Sequence, residues 1–113
     1  MANYPQSDLL KMDWPAPHVL RLTMDNGKVN QMNYELHHIM AMIWPVIGRD
    51  RDVAVVVVTG AGDYFSAGGD FHETKKMPHD FDFMIEQVRD ARELVLNMLN
   101  CNKPIVSAIN GPV

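Results

Sequence analysis

A single cysteine, Cys101, stands among the 113 residues, so no disulfide can close within the chain. No unbroken apolar run is longer than Val53 to Val58, far short of the roughly 20 residues a spanning helix needs, which excludes a bundle of membrane helices. The opening residues, Met1 to Asp8, lack both the basic start and the apolar stretch of a secretory signal. With so little cysteine, a cytoplasmic protein is expected. Basic residues are also scarce: ten against fourteen acidic ones give a formal charge of -4, which argues against a broad nucleic-acid footprint. A small anionic ligand needs only a few local cations and stays open. Glycine and proline number only seven each, so neither a collagen-like repeat nor a low-complexity chain fits. What is abundant is apolar: 47% of the residues are hydrophobic and 21% charged, enough for one core, and the length leaves no room for separate cofactor and substrate domains.

Prolines 5, 15 and 17 mark residues 1–17 as an N-terminal tail. From His18 to Met24 the side chains alternate, with Leu20, Leu22 and Met24 on one face and Arg21 and Thr23 on the other, which predicts a half-exposed strand. After the turn signal Asp25-Asn26-Gly27, residues Met32, Leu36, Ile39, Met40 and Ile43 recur at helical spacing behind Asn33, a natural N-cap. Pro45 lacks an amide hydrogen and crowds the carbonyl four residues back, so a kink or early stop is expected there. Val53 to Thr59 is β-branched and apolar on both faces, as a central strand covered on both sides would be. Phe71-His72-Glu73 reads as a short helix before Pro78. A long helix follows, with Met84, Val88, Ala91, Val95, Met98 and Leu99 expected on its buried face, and Ile105 to Ile109 reads as another buried strand. Strand, helix, strand, helix, strand is an α/β order with right-handed crossovers. The last strand has only a turn after it, Asn110 to Val113, so the chain reads as the front part of a longer domain.

Several residues carry the atoms of a site. Gly60-x-Gly62 follows a strand, as in a dinucleotide-binding turn, but Phe65 stands where the third glycine would allow close helix packing. Glu35, His37 and His38, and likewise His72, Glu73, His79 and Asp80, hold metal-ligand atoms without the spacing of a metal motif. Adjacent histidines on a helix point to different faces, so solvated or capping roles are expected, and no metal site is assigned. Lys28, Lys75 and Lys76 read as surface charges or phosphate contacts, the nine methionines as core filling, and Cys101 as a bystander thiol. The most specific segment is Phe65-Ser66-Ala67-Gly68-Gly69-Asp70. Three consecutive residues with a methyl group or no side chain let a ligand lie against the main chain and meet its amides, the geometry an oxyanion hole needs. A plain glycine turn with Asp70 capping the next helix accounts for the same residues, and local physics leaves both readings open.

Phe-Ser-Ala-Gly-Gly-Asp at 65–70, preceded by Val-Val-Val-Val-Thr-Gly-Ala-Gly at 55–62, resembles the first signature of the enoyl-CoA hydratase/isomerase (crotonase) family. Asn26 to Met32 is similar to that family's turn before its first helix, and Asn102 to Gly111 to the strand leading to its second signature, so the resemblance runs from His18 onward. It implies a crotonase-like (ClpP/crotonase) spiral of ββα units in which residues 18–113 are the N-terminal part, truncated after about the first half. It also implies an acyl-CoA thioester as substrate, hydration or isomerisation of an enoyl-CoA, no cofactor beyond that coenzyme A, and a homotrimer or dimer of trimers. Residue by residue, the amide of Gly69 becomes the first oxyanion-hole donor, and Lys28, Ala67, Gly68, Asp70 and Phe71 form the substrate-binding set. Ala67 and Phe71 then line adenine and pantetheine, Asp70 braces the loop, and Lys28 lies near the phosphates. The family's second donor and acid/base residues belong beyond Asn110-Gly111, and neither Glu73 nor Glu93 stands at those positions. A non-catalytic crotonase-like subunit that binds acyl-CoA or a partner chain is the competing expectation.

Overall fold

The computed structural model describes residues 2–113. The elements in chain order are strands β1 (Leu10–Ala16), β2 (Val19–Met24) and β3 (Gln31–Met32), helix α1 (Tyr34–Arg49), strands β4 (Val55–Gly60) and β5 (Gly68–Gly69), helices α2 (Phe71–Thr74) and α3 (Phe81–Asn100), and strand β6 (Ile105–Ser107). Four strands form one sheet in the order β1-β2-β4-β6, antiparallel between β1 and β2 and parallel across the other two pairs. β3 and β5 make a separate two-stranded parallel pair. The α/β class and the ββα arrangement are both present.

Alternation in β2 buries Leu20, Leu22 and Met24, and in β4 it buries Val56 and Val58. α1 lays Leu36, Ile39, Met40, Ile43, Trp44 and Ile47 on that face, and Leu10 and Val53 complete the core. Each such side chain contributes roughly 1.5 to 3 kcal/mol on leaving water. Asn33 caps α1 as the sequence implied, its Oδ1 accepting the Leu36 amide at 3.0 Å.

Five expectations are corrected. The stretch read as a tail contains β1, an edge strand. Its prolines are tolerated because Pro15 falls where the register with β2 shifts, between Asp13 and Ala16. Pro45 neither kinks nor ends α1, which continues to Arg49. The carbonyl it leaves unserved, that of Ala41, accepts Asn97 Nδ2 from α3 at 2.7 Å. β4 starts at Val55 and is interior to the sheet, but only one of its faces is fully covered, since Val55 and Val57 are half-buried. β6 is shorter than expected, with Val106 and Ile109 exposed.

The buried face of α3 was also misassigned. Met84 and Met98 face inward, but Val88, Ala91, Val95 and Leu99 are exposed. α3 carries two apolar rows, and the row against α1 also includes Leu94 and polar groups. Asp90 is buried and meets His38 Nδ1 at 3.0 Å, so the partner of α1 is chosen by specific contacts as well as by apolarity.

The chain's start is tied down. The Tyr4 hydroxyl donates to Asp50, and Lys103 Nζ donates to the Asp50 carbonyl at 3.1 Å. The phenol's hydrogen bond holds the Asp50 carboxyl below the usual carboxylate range. Burial, and then the same carboxylate, pushes the Tyr4 hydroxyl well above its ordinary value.

Candidate active site

Between β4 and α2 the chain makes a loop whose shape is imposed from two sides. From one side comes Asn30, fully buried in the left-handed region at φ 51°. Its Oδ1 accepts the Asn26 amide at 2.8 Å, and its Nδ2 donates to the carbonyls of Ala61 and Tyr64 at 3.0 and 2.9 Å. From the other side comes Asn110, whose Oδ1 accepts the Gly60 amide at 3.0 Å while its Nδ2 donates to the Gly62 carbonyl at 3.0 Å. Gly60 is obligatory, because a Cβ there would fall 2.3 Å from the Tyr64 carbonyl oxygen.

The buried Ser66 continues the loop. Its hydroxyl donates to the Asn30 carbonyl at 2.8 Å and accepts the Gly68 amide at 3.1 Å. The Ala67 amide donates to the Val29 carbonyl at 2.8 Å, and β5 then runs beside β3 with Gly68 opposite Gln31 and Gly69 opposite Met32. Gly68 has φ +89°, which favours glycine, whereas Gly69 does not have positive φ and a Cβ there would meet nothing within 4 Å. Ala67, Gly68 and Gly69 all face solvent. Asp70 caps α2, its Oδ1 accepting the His72 amide at 2.9 Å, as the glycine-turn reading required. Phe71 is 76% exposed. Lys28 is exposed and precedes Val29, so it stands at the rim of the same loop.

Under Gly69 and Asp70 opens a cavity of about 330 Å³. Met32, Met77, Phe83 and Leu94 supply its apolar wall, and His37, Glu73 and Gln87 bring polar groups to it. Glu73 Oε2 accepts the Tyr34 amide at 2.6 Å, filling an orphan donor in the first turn of α1. Beside it, burial and then the Glu86 carboxylate raise the Tyr34 phenol above its ordinary value. The adjacent histidines diverge as expected: His37 lines the cavity and His38 turns to Asp90. Among the described residues, no three His, Cys, Asp or Glu gather as metal ligands, and no helix is long and apolar enough to cross a membrane.

The structure thus brings Lys28, Ala67, Gly68, Gly69, Asp70 and Phe71 to one loop and its rim. Sequence reasoning missed Asn30 and Asn110 as its clamps, and His37, Glu73 and Gln87 as cavity groups. For Asn30 one signal was available: asparagine tolerates the left-handed region that this turn requires.

The site is thus a small-residue main chain exposed at the lip of a partly apolar cavity, on a mostly parallel α/β unit. The chain belongs to the enoyl-CoA hydratase/isomerase family, whose model matches residues 16–113. It is 33% identical to a probable enoyl-CoA hydratase of Mycobacterium leprae over 94% of this chain and 38% of that protein. It superposes on the crystal structure of an enoyl-CoA hydratase/isomerase from Mycobacterium paratuberculosis with a TM-score of 0.89 at 35% identity, covering 96% of this chain and 44% of that one. Pseudomonas aeruginosa DspI shares the fold, at a TM-score of 0.83 and 23% identity over 96% of this chain and 40% of that one. The chain therefore spans about two fifths of the length of these relatives.

Proposed function

We propose that this chain supplies the acyl-CoA-binding part, with the first oxyanion donor, of an enzyme that hydrates or isomerises an enoyl-CoA. The observation that carries the reading is the exposed main chain of Ala67 to Gly69, set by the left-handed Gly68 at the lip of the cavity. In this role the Gly69 N–H donates to the thioester oxygen as negative charge gathers there in the enolate-like transition state. A donor on a loop already tied by the Ser66 hydroxyl to the Asn30 carbonyl and to the neighbouring Gly68 amide needs little reorganisation during the reaction, and one such donor lowers a barrier by roughly 3 to 4 kcal/mol. Ala67 and the exposed Phe71 flank the adenine and pantetheine, Gly68 keeps the surface free of side chains, Asp70 holds α2, and Lys28 meets phosphate. The substrate brings its own coenzyme A, so no further cofactor is assigned. The working state is a cytoplasmic homotrimer or pair of trimers.

The test is a pair of substitutions in the complete protein. Gly69→Pro removes the donor, whereas Gly69→Ala keeps it, and the open space at Gly69 leaves alanine unstrained. Turnover of an enoyl-CoA should fall by at least ~10²-fold in the proline variant and far less in the alanine variant. A folded, CoA-binding proline variant with near-normal turnover removes Gly69 from the mechanism. One observation favours a second reading, a binding module without catalysis: the two carboxylates at the cavity, Asp70 and Glu73, both serve as helix caps. Acyl-CoA binding by the complete protein, with no product formed from any enoyl-CoA, would decide for it.

A further inference from the structure

Helix α2 and the turn after it, Met77–His79, form one wall of the cavity beneath Gly69, yet little fastens them to the rest of the molecule. Between Phe71 and His79 no residue is buried, and only Glu73 and Met77, both on the cavity, are half-buried. Most hydrogen bonds of this segment close on itself. The Thr74 and Lys75 amides donate to the carbonyls of Asp70 and Phe71, and the Lys76 and His79 amides to those of Glu73 and Lys76. Among the described residues, one hydrogen bond ties residues 71–79 to a distant element, the 2.6 Å bond that Glu73 Oε2 accepts from the Tyr34 amide, and no ion pair supplements it. Tyr34 opens α1, whose own cap, Asn33, already serves the Leu36 amide. A carboxylate at that end of a long helix is also favoured by the helix dipole.

Resting on the acyl-CoA reading above, we infer that Glu73 is a positioning residue for the acyl chain: its bond to the start of α1 sets the wall that carries Thr74 and Met77 against Met32, Phe83 and Leu94. Gly69 is held by other means. The pairing of β5 with β3 and the Ser66 hydroxyl fix its neighbourhood without Glu73. Loss of the Glu73 bond therefore frees the wall while the thioester still meets the Gly69 amide. A longer acyl chain touches more of that wall and leaves more apolar surface in water when it moves away, so the dependence on Glu73 grows with acyl length. Glu73 acts on binding, through Tyr34, and not on the reacting atoms.

The experiment makes Glu73→Ala and Glu73→Gln in the complete protein and reads amide hydrogen exchange together with steady-state kinetics on 2-butenoyl-CoA and 2-octenoyl-CoA. In the alanine variant, exchange at Tyr34 and across residues 71–79 should quicken by about tenfold, the worth of one charge-assisted hydrogen bond, while exchange in β2 and β4 stays unchanged. KM for 2-octenoyl-CoA should rise about fivefold or more, KM for 2-butenoyl-CoA less, and kcat should stay within about twofold, the pattern of lost binding and not of lost transition-state contact. Glu73→Gln keeps an acceptor for the Tyr34 amide and should recover most of both effects. Unchanged exchange in the alanine variant overturns the inference, and so does faster exchange with KM unchanged for both thioesters. An equal fall in kcat in both variants assigns the carboxylate to the chemistry and overturns it as well. If the unaltered protein turns over neither thioester, the enoyl-CoA reading fails by itself, and with no acyl chain to position the inference falls with it, even where the exchange data uphold the bond.

Discussion

The two long helices treat their apolar residues in opposite ways. α1 buries essentially all of its apolar row, with Leu36, Ile43, Trp44 and Ile47 at zero exposure against the sheet. α3 gives one row to α1 and turns Phe81, Ile85, Val88, Val95 and Leu99 outward, Leu99 at 75% exposure. β6 extends the contrast with exposed Val106 and Ile109. Equal amphipathicity in sequence therefore does not mean equal work in stability: α1 is the keystone of this unit, and the outer face of α3 adds nothing to its core.

The largest expected effect tests that contrast directly. Ile43→Ala should lower the unfolding free energy by about 3 to 4 kcal/mol, as cavity-forming core truncations do, whereas Leu99→Ala should cost less than about 0.5 kcal/mol in this chain. Urea titrations of the two variants check it. Equal costs would break the comparison, and a Leu99 cost that rises in a longer chain or with an added partner would show that the outer row is covered there.

A smaller effect probes how α1 survives its proline. Asn97→Ala should cost about 1 to 2 kcal/mol, because it strands the Ala41 carbonyl within the α1–α3 interface. In a Pro45→Ala background the restored amide serves that carbonyl, and the cost of Asn97→Ala should fall by at least half. A double-mutant cycle with no coupling would separate the two residues.

The smallest effect lies at the chain's start. Tyr4→Phe should cost about 1 kcal/mol near neutral pH through loss of the Asp50 bond. The sign with pH is fixed at both ends. Asp50 has a lowered folded value, so its contribution is present above the ordinary carboxylate value of 3.8 and fades as pH falls through the folded one. Tyr4 has a raised folded value, so its contribution is complete below the ordinary phenol value of 10.0 and is lost as pH climbs beyond it. The difference in stability between wild type and Tyr4→Phe should therefore be flat between those limits and shrink outside them. A difference that grows toward acid would refute the pairing.

Local signals made much of this fold legible. The alternation in Val19–Met24, the cap at Asn33 and the cap at Asp70 each depend on residues within a few positions, and each stands where the sequence put it. The failures all involve distant partners. Pro45 reads as a break until Asn97 arrives, a bond spanning 56 positions from Ala41. Both rows of α3 carry apolar residues, and the polar contacts to α1, Asp90 with His38 and Asn97 with the Ala41 carbonyl, mark the one that turns inward. β1 hides behind Pro15, because a strand at an edge and a disordered tail share that composition. At the site, the Phe65–Asp70 segment stood out by its small residues and by family resemblance. Asn30 did not, since nothing local tells a buried left-handed asparagine from one in an open turn.

The clamps on the glycine loop have a consequence in time. Asn30 precedes the loop, whereas Asn110 and the Pro112 carbonyl, which accepts the Phe65 amide at 3.0 Å, come some fifty positions after it begins. During synthesis, β2, α1 and β4 can pair and bury their shared core once Gly60 has emerged. The loop beyond β4 meets its second set of partners only once residues 110–112 have been made, and closing so wide a span carries its own entropic delay. The scaffold and the binding surface are thus acquired in sequence, and in the interval the amides of Gly60 and Phe65 have no settled acceptor within the chain.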